Sequence, residues 1–367
     1  MRRRALAYAT LWGAVALIAV ATLVPTRGAV GALPVAWCVT CGPYWLTDAI
    51  SNVVLFMPLG VALGFLGRRV FGAVLIGAGL SLAVELLQFA GMPAGRTPAL
   101  SDWITNSTGT LIGAALYALR TTLLGPSIQA ARMLLIAWTG VMGAVLVAGN
   151  WLLSPSSPSV GATSAVERST LPFTPGFGWY TAVPDSGFVN EVFIPHGGNG
   201  PVIAQMSRTD TIRLSVLVRG RDTRRGTVPI VYVHAPGERR AQVLLGQRGN
   251  SAVVRLTLNA ARAGLRVPEL ALHDVFAPSA RALETPVQLR ATVTGRTLSL
   301  VAREGDGTER STTLSLTPLL GWTLLQSVVR VDSAVAPLLT LLWLLAWGVP
   351  WGYWLWRATR REVGLSF

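Results

Sequence analysis

The sequence predicts an α-helical membrane bundle of six transmembrane helices, with an extracytoplasmic all-β sandwich of jelly-roll type between helices five and six. Three observations predict it. Charged residues make up only 13% of the 367-residue chain, about half the usual share of soluble domains. Six apolar runs are long enough to cross ~30 Å of hydrocarbon, which takes about 20 helical residues. Between the last two runs, short segments of alternating apolar and polar residues replace the long ones.

The runs fall at 5–24, 48–67, 70–90, 102–119, 133–152 and 334–356, giving a helical membrane domain over 1–153, a linker over 154–187, a β domain over 188–325 and a last span within 333–357. The first run follows Arg2, Arg3 and Arg4 like a signal peptide, but it is too long for a signal core. Leu23-Val24-Pro25-Thr26-Arg27 is also a poor cleavage site, so it is expected to stay as a helix. Basic residues flanking the spans fix orientation, because they stay on the cytoplasmic side. Arg2, Arg3, Arg4, Arg68, Arg69, Arg120, Arg132, Arg357, Arg360 and Arg361 fall on one side and only Arg27 and Arg96 on the other. Both termini are therefore expected in the cytoplasm of a bacterial inner membrane, with the β domain outside. The net charge of +14 comes from arginine alone. Nineteen of the 31 arginines lie in the outer segment between the last two runs, where no nucleic acid is expected and anionic envelope polymers or lipid headgroups are the available partners.

Cys38-Val39-Thr40-Cys41 lies in the first outer loop, in an oxidising compartment, and reads as a disulfide ahead of free thiols or redox and metal chemistry. His196, His234 and His273 are scattered without ligand spacing, so no metal or cofactor is expected. Trp37, Tyr44 and Trp45 flank the cysteines like an interfacial aromatic belt.

Helices two to four carry polar residues inside apolar runs. In the second, Asn52, Phe56 and Gly60 share one face, and Pro58 leaves the Val54 carbonyl without its usual donor, which predicts a kink. In the third, Glu85 and Gln88 lie near the outer end; an acid here is costly in lipid and must be protonated, paired or turned to a wet cavity. In the fourth, Ser101 is the expected N-cap and Asp102 sits in the first turn. Asn106, Gly109 and Gly113 continue one face. Gly60 with Gly64, and Gly109 with Gly113, are small-xxx-small pairs that let helices approach closely. Counted along each helix at 1.5 Å per residue, Asn52, Glu85 and Asn106 lie roughly 6–8 Å beneath the outer surface. One shared pocket is expected, with Asn52, Glu85, Gln88, Arg96, Asp102 and Asn106 as ligand-binding residues. Phe56, Pro58, Gly60, Gly109 and Gly113 form its structural frame.

Asp48, Asn52, Phe56, Pro58, Gly60, Glu85, Gln88, Arg96, Asp102, Asn106, Gly109 and Gly113, over about 45–120, resemble the pattern of the VanZ-like integral membrane proteins. Cys38-Val39-Thr40-Cys41-Gly42 is similar to relatives of that group. The resemblance implies an envelope role connected by name with glycopeptide resistance, and no defined reaction.

Ser154-Pro155-Ser156-Ser157-Pro158 opens the linker. Nine strands are expected beyond it, at 190–195, 201–206, 211–218, 228–234, 239–245, 251–258, 286–294, 297–303 and 311–317. Their order, with Leu244-Leu245-Gly246-Gln247-Arg248-Gly249-Asn250 before an apolar strand, is similar to the concanavalin-like, laminin-G type of sandwich. That resemblance implies carbohydrate binding. Asp185, Asp210, Asp222, Asp274 and Asp306 are isolated and make no calcium loop. No glycosidase carboxylate set is present, and His273-Asp274 reads as a loop pair. Trp343, Trp347, Trp351, Tyr353, Trp354 and Trp356 mark the last helix as rich in interfacial aromatics.

Three functional readings follow. A membrane protein binds a lipid-linked, glycan or glycopeptide ligand in the helical pocket. Alternatively, Glu85 and Asp102 act as acid and base on a lipid-linked substrate whose phosphate Arg96 holds. In the third, the bundle anchors a sandwich that binds carbohydrate or protein.

Overall fold

The computed structural model describes residues 2–24, 37–39, 42–92, 96, 98–156, 186–189, 192–193, 211–219, 227–233, 243–276, 286–326, 331 and 333–359. The chain divides into two compact units, residues 1–145 with 342–367, and residues 146–341.

The first unit is helical. It contains α1 (Arg2–Leu23), α2 (Trp45–Phe65), α3 (Val70–Phe89), α4 (Leu100–Ala118), the short α5 (Arg120–Leu124) and most of α6 (Ile128–Leu152). Apart from α4 and α5, these helices are long and apolar enough to cross a membrane. So is the last helix of the chain, Ala336–Thr359, which makes five candidates among the described residues. The expected sixth, α4, falls short because Ser101, Asp102, Asn106, Ser107, Thr108 and Thr110 dilute it. It tolerates them by packing between α2 and α3. Ala14 and Ile18 of α1, Phe56, Leu59 and Leu63 of α2, Ala73 of α3 and Ala114 of α4 form its apolar core.

The α2–α4 contact is made by backbone. A Cβ on Gly60 would overlap the Thr110 carbonyl, one on Gly109 the Val53 carbonyl, and one on Gly113 the Met57 carbonyl. Gly64 lies against the Tyr117 ring and Gly77 of α3 against the Thr110 side chain. Small residues allow this approach, and dispersion plus Cα–H···O contacts then hold helices together where lipid supplies no hydrophobic drive. Pro58 lies within α2, which continues through it as a helix to Phe65.

Near the other end of the chain, the aromatic residues of the last helix face α6 within this unit. The Trp138 indole donates to the Trp347 carbonyl at 2.9 Å, Trp351 to Thr139 Oγ1 at 3.1 Å, and Trp354 to the Leu123 carbonyl at 3.1 Å. The expected interfacial belt is thus partly an interhelical seam, since indole N–H groups in an apolar setting need acceptors.

The second unit holds two antiparallel sheets. One has six strands and the other four. The strands are β1 (Ser186–Val189), β2 (Val192–Phe193), β3 (Thr211–Val218), β4 (Val228–Val233), β5 (Val243–Arg248), β6 (Ser251–Leu256), β7 (Leu270–Leu272), β8 (Val287–Thr294), β9 (Thr297–Arg303) and β10 (Glu309–Ser315). The larger sheet runs β10-β9-β8-β3-β1-β2 and the smaller β4-β5-β6-β7. Alternation in β8 buries Val287, Leu289, Ala291 and Val293 on one face, in register with Leu298, Leu300 and Ala302 of β9. Gly249 and Gly295 take positive φ, +57° and +56°, in the β5–β6 and β8–β9 turns, as tight hairpins require. The expected strand at 201–206 lies outside the described residues. The strand expected at 239–245 starts at Val243 among the described residues, and β1 and β7 were not anticipated. The start of the expected linker is fastened here: Ser156 N–H donates to the Thr257 carbonyl at 3.0 Å, and Arg296 reaches Ser154 Oγ at 2.7 Å and the Asn150 side chain. Two short helices, α7 (Asn259–Arg262) and a 3₁₀ turn at Pro318–Leu324, precede α8 (Ala336–Thr359).

Gly113→Ala should lower the thermal midpoint of the detergent-solubilised protein, by a loss of about 1–3 kcal/mol, because the Met57 carbonyl has to move. Gly79→Ala, whose Cβ would meet nothing within 4 Å, should leave it unchanged or raised.

Candidate functional site

The N-terminus of α4 organises the polar residues. Its cap residue is Ala99, extended at φ −132° and ψ 130°, and not Ser101, which lies inside the first turn. The cap makes no side-chain bond of its own. Remote groups satisfy the exposed donors instead. Ala99 N–H donates to Glu85 Oε2 at 2.8 Å, while Leu100 N–H and Ser101 N–H reach the Cys38 carbonyl at 3.1 and 3.5 Å. Trp37 N–H donates to the Pro98 carbonyl at 2.9 Å, so residues 37–38 run beside 98–99 as a parallel bridge. Cys38 is disulfide-bonded; Cys41 lies outside the described residues.

Around that helix end the expected residues assemble. Asn52 hydrogen-bonds the Asp102 carboxylate, Ser101 Oγ lies 3.4 Å from Asp102 Oδ1, and Asp48 and Arg96 are within electrostatic reach of the same group. Asp102 and Arg96 in turn act on Glu85. Arg96 sends Nη2 to the Ala21 carbonyl at 2.7 Å and Nε to the Val24 carbonyl at 3.4 Å, which ties it to the C-terminus of α1. Exposure is graded across the cluster. Asp48 is exposed, Asn52 and Asp102 are half-buried, and Glu85 is buried at 1% exposure.

One turn deeper, Asn106 Nδ2 donates to Ser81 Oγ at 2.9 Å, and Thr110 Oγ1 donates to the Asn106 carbonyl at 3.1 Å. Asn106 Oδ1 is buried without a hydrogen-bond partner. Gln88 is buried near the C-terminal end of α3. Phe56, Gly60, Gly109 and Gly113 are buried in the α2–α4 contact, while Pro58 is half-buried. Because α2 begins at Trp45 and α4 at Leu100, Asn52 and Asn106 sit about 3–5 Å further from their helix starts than the sequence boundaries implied.

The VanZ/LLP1 family model matches residues 8–121. That region holds every polar residue of the cluster, though it is less than half the chain, and it supports a VanZ-like helical domain. No curated protein and no solved structure matches the chain.

Sequence reasoning missed three participants. Ser81 stands one turn before Glu85 on α3 and could have been found by that spacing. Thr110, inside the Gly109–Gly113 motif, was hidden by its glycines, and the Cys38 carbonyl carries no side-chain signal at all. In the sheet unit, His273 Nδ1 lies 2.9 Å from Ser251 Oγ. Glu269 pairs there with Arg248 at 2.6 Å and with Arg255.

Glu85→Ala should cost about 1–3 kcal/mol, read as a lowered thermal midpoint, because it leaves the Ala99 N–H unmet. Glu85→Gln keeps an acceptor in place and should cost clearly less.

Proposed function

We propose that this VanZ-like membrane protein binds the polar part of a lipid-linked, glycan or glycopeptide envelope ligand at the α2–α3–α4 cluster, near the outer leaflet. The observation that carries this reading is the graded cluster itself. An exposed Asp48 leads through half-buried Asn52 and Asp102 to buried Glu85 and to an Asn106 amide with one unpaired end. Structural glue is normally saturated internally, whereas a buried polar end left open suits an incoming partner. The five apolar helices support membrane residence in a lipid bilayer. The arginine distribution favours cytoplasmic termini, with α4 as a sixth span and the sheet unit outside as a carbohydrate-facing sandwich.

The reading is tested by extracting the protein with its native lipids and identifying co-purifying amphiphiles by mass spectrometry. One species should be enriched on the wild type and depleted several-fold from Asp102→Asn and Glu85→Gln at matched protein level and thermal midpoint. Equal enrichment on all three would remove the site. A phosphatase reporter that works only outside the cytoplasm should be inactive when fused after Phe367, and activity there would invert the orientation.

A further inference from the structure

We propose that the ligand group held at this cluster is cationic, an ammonium carried on an amphiphile, rather than a phosphate. The inference rests on the binding reading above and narrows its chemistry.

Asp48, Glu85 and Asp102 supply three carboxyl groups around the N-terminus of α4, and among the described residues Arg96 is the one basic side chain acting on Glu85 and Asp102. That guanidinium is directed at α1, with Nη2 on the Ala21 carbonyl and Nε on the Val24 carbonyl. The backbone donors of the α4 N-terminus, which ordinarily attract anions, are also engaged. Ala99 N–H is on Glu85, and Leu100 and Ser101 N–H are on the Cys38 carbonyl. A phosphate entering here would meet carboxyl oxygens and few open donors.

Independent of the acids, Asn106 leaves one end of its amide unpaired at 2% exposure. Its other end is taken by Ser81, one turn before Glu85, and Asn106 itself is one turn after Asp102. The open oxygen therefore belongs to a residue one turn along α4 from Asp102, bonded to a hydroxyl one turn along α3 from Glu85, and it adds a buried acceptor to the carboxyl groups of that region. An ammonium presents three donors and no acceptor, which complements those acceptors.

The test uses purified full-length protein in detergent, with occupancy by dodecylammonium and by dodecyl phosphate read separately by native mass spectrometry. Dodecylammonium should bind the wild type about tenfold more tightly than dodecyl phosphate, and Asp102→Asn should lose about tenfold for the amine only. Asp102→Glu, which restores the charge, should recover most of that loss, and so separates charge from misfolding. Tighter binding of dodecyl phosphate, or amine binding indifferent to both substitutions, overturns the cationic assignment. If the native amphiphile still depends on Asp102 in that case, only the charge assignment falls. If no amphiphile responds to Asp102, the binding site falls with it.

Discussion

The contact on which the helical unit depends is the meeting of two backbones. Gly60, Gly109 and Gly113 leave no room for a Cβ between α2 and α4, so carbonyls of each helix lie against Cα atoms of the other. That approach brings Asn52 to Asp102, because both sit on the continuation of the same seam toward the helix starts. It also explains how α4 remains in the bundle. A helix carrying this many hydroxyls, an amide and an acid is costly against lipid, and it is stable where α2 and α3 flank it. Close packing and polarity are therefore one design: the glycines that admit α4 are what allow its polar face to be buried.

The same geometry gives Glu85 two roles that compete for its oxygens. One oxygen caps the backbone of Ala99, fixing where α4 begins. The carboxyl also belongs electrostatically to the Asp102–Arg96 group. A side chain committed to a helix start is poorly placed to cycle as a general acid, since each proton transfer would disturb the cap. This weighs against an acid–base role for Glu85, and Asp102, half-buried and held by Asn52 and Ser101, is the more accessible of the pair.

Much of this was legible in the sequence. Apolar length exposed the spanning helices, and glycine spacing exposed the α2–α4 face. The cost of acids in lipid singled out Glu85, and the planted amides singled out Asn52 and Asn106. Local rules failed where partners are remote. Ser101 matched the preference for a capping hydroxyl, yet the cap is assembled from Glu85 on another helix and from a carbonyl some sixty residues earlier in the chain, which no nearby residue announces. The tryptophans of α8 matched an interfacial belt by composition, and only their hydrogen bonds to α6 and α5 reveal a seam. Strands β1 and β7 are too short for a period of two to register.

Arg96 links the polar cluster to α1. The last turn of α1 carries no basic residue of its own to meet its final carbonyls and the negative end of its dipole. Arg96, far away in sequence, supplies one by bonding Ala21 and Val24. The same guanidinium also lies within electrostatic reach of Glu85 and Asp102, so one side chain serves the α1 terminus and the acids together. The placement of that guanidinium beside the acids at the α4 N-terminus is thus set by a helix that contributes no acid to the cluster, and it follows from how α1 ends.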